Sequence, residues 1–260
     1  MGGRTMPYEK IVPEKLSTSV VRQIEALVLR GILRPGDRLP SERTLSARLG
    51  VSRPSLREAL AQLQEQGLLT SRAGAGVYVA DVLGSAFSPA LVRLFATHED
   101  AGAEYVAFRR DMEGLAAYRA AETGSATDLR VMDTVFRKME AAHAKRNPAE
   151  EAALDAEFHL AIVEASHNVV MLHMMRSMYE LLREGVFYNR AVMFRQRTTR
   201  DQLLDQHRAI NAALQARDAP GARDAVDRHL SYVAEALAAQ SRARRNEAIA
   251  AKRLDHEAGR

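Results

Sequence analysis

Between Leu16 and Ala80 three apolar stripes of helical period are followed by two short β-prone runs, and turn residues mark each boundary. Leu16 to Leu33 carries Val20, Ile24, Leu27 and Val28 on one helical face, with Ser17 placed to cap it. The stretch RPGDRLPSER breaks that helix at Pro35-Gly36 and again at Pro40. Ser41 can cap a short helix, SERTLSARLG, closed by Gly50. Ser52 can cap the next, with Pro54 in the first turn where its missing N–H costs nothing. That helix runs through Leu56, Ala59, Leu60 and Leu63 and stops at Gly67. LLTSR and GVYVA then form a hairpin around AGAG. Three helices and a small hairpin in this order make a winged helix-turn-helix.

The third helix opens with Arg53 and Arg57, one turn apart. Positive charge at a helix N-terminus is unfavourable by about 0.3–1 kcal/mol per charge. In a helix-turn-helix that end enters the DNA major groove, where phosphates and guanine edges supply the negative partners. Arg43 on the preceding helix approaches the same groove, and Arg72 with Ala73 and Gly74 forms a wing tip thin enough for a minor groove. The charge distribution agrees: residues 1–83 hold 12 Lys and Arg against 8 Asp and Glu, residues 84–239 hold 19 against 22, and the last 21 hold 6 against 3. Solubilising surface arginines on an unrelated helical hairpin remain the alternative.

Beyond residue 81 the pattern changes. VLGSAFSP (82–89) reads as a linker, and breaks follow at Gly124-Ser125, Asn147-Pro148, His167-Asn168, Arg197–Thr199 and Asp218–Gly221. These give six to seven helices and no strand signal. The expected fold is therefore mainly α: a winged helix-turn-helix over 10–81, a linker with first contacts over 82–100, an all-α helical bundle over 101–240 and a basic tail over 241–260. No run of about 18 apolar residues is present for a membrane span. The N-terminus lacks a secretory apolar core, and there is no cysteine, so a cytoplasmic location is expected.

Within the helical region Asp155 and His159 stand at i, i+4 on one face, a spacing at which a carboxylate and an imidazole can share a metal ion. His207 and His229 lie equally far before and after Asp218. If DAPG turns the chain back as an antiparallel pair, the two histidines come level. Three nitrogens and one oxygen suit Zn²⁺, Ni²⁺ or a similar divalent ion. Each of the four read alone is equally an ordinary core or surface residue.

The segment LRPGDRLPSERTLSARLGVSRPSLREALAQLQEQGLL resembles the DNA-binding signature of the GntR family of bacterial regulators. The resemblance implies operator contacts by Arg43, Ser52, Arg53, Arg57 and Gly74, although RAGAG replaces a more glycine-rich wing tip. LDAEFHLAIVEASHN, DQHRAI and DRHLSYV are similar to the ligand-binding FCD domain of that family's FadR branch, in its lactate-, glycolate- and pyruvate-sensing members. The resemblance implies that Asp155, His159, His207 and His229 hold a divalent metal, Zn²⁺ first. It also implies that Arg109, in AFRRDMEGLAAY, grips an effector carboxylate; Arg110 competes for the inward position, and Asp111 and Glu113 could pair with Arg109 at the surface.

The expected function is a homodimeric repressor on a palindromic double-stranded operator, controlled by a small hydroxycarboxylate or oxo acid. It has no membrane partner and no enzymatic activity. The rival is a metal-dependent hydrolase or isomerase using the same Asp and His residues. It lacks a general base at a motif-like position, since Glu164 lies off the His159 face.

Overall fold

The computed structural model describes residues 15–72, 74–81, 87–183, 193 and 197–258. Ala73 of the expected wing tip, and most of the expected linker, lie outside them. The chain divides into two compact units, Met1–Gly84 and Ser85–Arg260.

In the first unit α1 (Leu16–Leu29) buries Val20, Val21, Ile24 and Val28. It begins two residues earlier than a Ser17 cap requires: Lys15 is the N-cap, and Ser17 is buried inside the first turn. It also ends before Leu33, because Gly31 enters the left-handed region (φ 73°) and the amides of Ile32 and Leu33 turn back onto the Leu27 carbonyl. α2 (Glu42–Leu49) starts where the Ser41 hydroxyl accepts from the Thr44 amide and ends at left-handed Gly50. α3 (Arg53–Glu65) starts where Ser52 accepts from the Ser55 amide, and it buries Leu56, Ala59, Leu60 and Leu63. β1 (Leu69–Arg72) and β2 (Gly76–Val79) pair antiparallel, Leu69 opposite Val79 and Arg72 opposite Gly76. The free edge of β2 is covered by residues 36–39, read from sequence only as a turn: Gly36 and Leu39 donate to Val79 and Val77, and Val79 donates to Asp37. The order is that of a winged helix-turn-helix.

Every described element of the second unit is a helix: α4 (Pro89–Thr97), α5 (Glu99–Thr123), α6 (Ala126–Lys145), α7 (Pro148–Ala165), α8 (Val169–Arg183), α9 (Arg197–Gln215) and α10 (Ala219–Ala258). Caps fall at the expected breaks. Ser125 and Asp128 form a capping box on α6, Asn147 caps α7, and Asn168 accepts from Met171 at the start of α8. The expected break at Arg197–Thr199 is instead the start of α9. α10 continues past Gln240 to Ala258, and its last residues are exposed.

α5 packs along α10, and buried Ala116, Ala117, Ala120 and Ala121 on one and Ala222 and Ala225 on the other allow close approach. α7 buries residues around most of its circumference, from Leu154 and Phe158 to Ile162 and Val163, as a central helix must. Asp155 and His159, carried on this helix, are buried, so they must find partners inside.

Candidate functional site

α7 sets Asp155 and His159 one turn apart on a single face. The other two histidines come from the α9–α10 hairpin. Arg217 adopts a left-handed conformation (φ 56°), the Asp218 amide donates to Ala213, and the Asp218 carboxylate accepts from Gly221 at 3.0 Å. Gln206 meets His229, and Gln202 meets Tyr232. Numbers that fall on one helix as they rise on the other define antiparallel packing, and His207 lies beside His229.

The four side chains converge. His207 Nε2 is 2.9 Å from Asp155 Oδ1 and 3.2 Å from His159 Nε2, and His159 Nε2 is 3.8 Å from Asp155 Oδ1. One ligand atom from each of the four lies within 4.8 Å of the other three. None is more than 3% exposed. Phe158 walls the cluster, edge-on to His159 and His207.

Burial pushes the His229 imidazole well below its usual range, and His207 and His159 add to the effect. Burial also lowers His159, against the pull of Glu113 and Asp155. Neutral imidazoles beside a carboxylate are the protonation states a metal requires. The Gln206 amide oxygen, 2.9 Å from His229 Nδ1, can accept that nitrogen's proton and leave Nε2 as the donor atom. His207 Nδ1 is buried with no hydrogen-bond partner among the described residues. This donor set fits a borderline divalent ion such as Zn²⁺ or Ni²⁺.

Arg109 also points inward, at 1% exposure, while Arg110 is exposed and pairs with Asp227 at 3.4 Å. The surface pairing considered for Arg109 is not what forms. Asp111 is exposed, and Glu113 is buried with Arg109 because i, i+4 positions share a face. Arg109 Nε donates to Glu113 Oε1 at 2.6 Å, and one Nη donates to the Tyr179 hydroxyl at 2.9 Å. Glu113 Oε2 stands 2.7 Å from His159 Nδ1. Burial opposes the Glu113 charge, but Arg109 and His159 outweigh it and hold the carboxyl at about 2. Glu113 and Tyr179 are site neighbours that sequence reasoning missed. Once Arg109 faces inward, helical spacing implies Glu113; nothing in the sequence implies Tyr179.

In the first unit Arg43, Ser52, Arg53, Arg57, Arg72 and Gly74 are all exposed. Arg53 and Arg57 converge on one residue missed at the sequence level, Glu42: its Oε2 is 2.8 Å from Arg57 Nε and 3.6 Å from Arg53. The hydrogen bond from Arg57 lowers the Glu42 pKa. Arg72 stacks its guanidinium 4.6 Å over the Tyr78 ring, and Gly74 takes a left-handed φ of 68°. The Ser52 hydroxyl caps α3.

Residues 16–79 match the family model described as bacterial regulatory proteins, gntR family, and residues 104–232 match the FCD domain. The chain belongs to the GntR family, with an FCD domain. It is 36% identical over 227 residues to the protein named for regulating the L-lactate dehydrogenase operon in Escherichia coli K12, covering 86% of each chain. It is 34% identical over 200 residues to the Glc operon transcriptional activator of the same strain, covering 75% of this chain and 79% of the relative. It is 30% identical over 213 residues to the transcriptional regulator LutR of Bacillus subtilis 168, covering 81% of this chain and 96% of the relative. Among solved structures, Streptococcus agalactiae GntR aligns with a TM-score of 0.51 at 22% identity, over 84% of this chain and 99% of that one, which shows a shared fold. A GntR-family regulator binds DNA through its helix-turn-helix and is not an enzyme, which removes the hydrolase and isomerase reading. No described helix is long and apolar enough to cross a membrane.

Proposed function

We propose that this GntR-family regulator is a cytoplasmic homodimer that represses transcription from a palindromic operator, and that a small hydroxycarboxylate or oxo acid of the lactate, glycolate or pyruvate class releases it. The carrying observation is the buried cluster of Asp155, His159, His207 and His229 with inward-facing Arg109 in the same helical unit. A Zn²⁺ ion held by those four residues would supply a Lewis-acid seat for an effector oxygen. The chain's own part is to hold the His159 and His229 imidazoles neutral, exclude water and present a guanidinium for the carboxylate of the acid. The relatives named for L-lactate and Glc operons support the effector class.

On the DNA side the reading assigns Arg53 and Arg57 to the major groove, with Arg43 and Ser52 beside them and Arg72 and Gly74 at the wing. Their exposure on α2, α3 and the hairpin supports it. Two-fold symmetry of the dimer would match the operator palindrome. Effector control requires that the acid bind one arrangement of the dimer better than the other.

The test is thermal unfolding of Zn²⁺-loaded protein against L-lactate, D-lactate, glycolate, pyruvate, citrate and a fatty acyl-CoA. One small acid is expected to raise the melting temperature, and His207→Ala is expected to abolish the rise. No response to any small acid overturns the effector assignment. A reporter fused to the target promoter reads the sign, with expression expected to rise when the gene is deleted.

A further inference from the structure

Glu113 touches both halves of the candidate site. It is 1% exposed and sits one turn after Arg109 on α5. Its Oε1 accepts from Arg109 Nε at 2.6 Å and from the Tyr179 hydroxyl at 2.7 Å. Its Oε2 accepts from an Arg109 Nη at 3.3 Å and lies in ion-pair contact, 2.7 Å, with His159 Nδ1, off the line of a hydrogen bond. The same side chain therefore faces the guanidinium assigned to the effector and an imidazole assigned to the metal.

Two chemical rules bear on that position. An imidazole that coordinates through Nε2 has its Nδ1 proton held by an acceptor, and a carboxylate acceptor fixes the ring and raises its basicity. A guanidinium whose Nε and Nη edge already carries a carboxylate has that bidentate edge occupied. His159 turns Nε2 toward Asp155 and His207, and Nδ1 toward Glu113.

We propose that Glu113 is a positioning residue that ties the two halves together: it orients His159 for the metal and occupies the edge of Arg109 that a ligand carboxylate would take. The inference rests on reading the tetrad as a metal centre. A small acid that engages Arg109 bidentately through its Nε and Nη edge must displace Glu113 from it. Removing the Glu113 charge therefore acts in opposite directions, weakening the metal and strengthening a carboxylate. A residue that merely neutralises Arg109 in the core would leave Zn²⁺ affinity unchanged once the variant is folded.

The experiment uses the full chain, with Zn²⁺ alone and acetate alone as probes. Wild-type protein is titrated with Zn²⁺ against a chelator; failure to bind there overturns the metal reading itself, and this inference with it. Given wild-type binding, folded Glu113→Gln is expected to lose about 10- to 100-fold in Zn²⁺ affinity. Acetate is expected to raise its melting temperature more than the wild type's. General loss of stability cannot produce opposite signs. The third arm needs no variant: long-range nitrogen–proton correlation spectra of metal-free wild type are expected to show His159 as the Nδ1–H tautomer. Unchanged Zn²⁺ affinity in folded Glu113→Gln, an acetate response no larger than the wild type's, or His159 as the Nε2–H tautomer overturns the proposal.

Discussion

The rings of His207 and His229 face each other across the α9–α10 hairpin, 4.4 Å between centroids. They are equidistant in sequence from Asp218, whose carboxylate accepts from the Gly221 amide at the start of α10. The turn thus sets the register, and the register sets the site. With Asp155 and His159 supplied by α7, three helices are joined at one buried point.

If that point holds an ion, Zn²⁺ stabilises the folded chain by mass action. A hundredfold excess over Kd adds about 2.7 kcal/mol, and EDTA removes it. Asp155→Ala and His207→Ala are each expected to lose most of that increment, read as the difference in thermal unfolding with and without Zn²⁺. An undiminished increment in both variants contradicts the ligand assignment.

Arg53→Ala and Arg57→Ala should each weaken specific operator binding by about 1–3 kcal/mol where the arginine reads a base. Glu42→Gln carries the opposite sign. Glu42 lies against both arginines, so its removal leaves their charge open to phosphates. Non-specific DNA affinity is expected to rise and its salt dependence to steepen. Fluorescence anisotropy on operator and scrambled duplexes across a salt series measures both. Operator affinity unchanged in both arginine variants would move the DNA contact elsewhere.

Glu151 on α7 and Arg200 on α9 are both buried and form an ion pair at 2.7 Å. They tie the helix carrying Asp155 and His159 to the helix carrying His207. Removing one partner of a buried pair leaves an uncompensated charge, so Glu151→Ala is expected to cost about 3–5 kcal/mol in chemical denaturation. It should also weaken Zn²⁺ binding, although Glu151 is not among the four converging groups.

The α6 capping box gives a pH prediction. Burial works against ionisation of Asp128, but the Ser125 hydroxyl and amide, with His167, outweigh it and lower the pKa below 3.8. A carboxyl lowered on folding contributes stability above its unfolded pKa and loses it as pH falls through the folded value. Asp128→Ala is therefore expected to destabilise the chain at neutral pH by about 1 kcal/mol, the worth of a cap. The gap to wild type should close under acid conditions below pH 3.8. A gap that stays constant with pH would place the loss in packing.

Much of this arrangement is legible in the sequence because it follows from local rules. Ser41, Gly50 and Ser52 bound α2 and α3 through backbone chemistry that acts within four residues. The tetrad is legible because helical spacing and a symmetric hairpin are both arithmetic. What escapes is set by tertiary contact. Ser17 has a capping side chain, but packing of Val20, Val21 and Ile24 draws the helix start past it. Residues 36–39 join β2 because its outer edge lacks partners, which no local pattern announces. Glu42 and Glu113 read as surface acids until the arginines they face are placed in space. Tyr179 reaches Arg109 from another helix, 70 residues away in the chain.

In the proposed function one buried site on the helical unit governs DNA affinity. The direct measurement is the affinity of Zn²⁺-loaded protein for a duplex from its target promoter, with and without the small acid that raises its melting temperature. The expected result is a 5- to 150-fold loss of affinity on adding the acid, an allosteric coupling of about 1–3 kcal/mol, absent in His207→Ala. Operator affinity that stays constant while the acid is demonstrably bound would contradict the account.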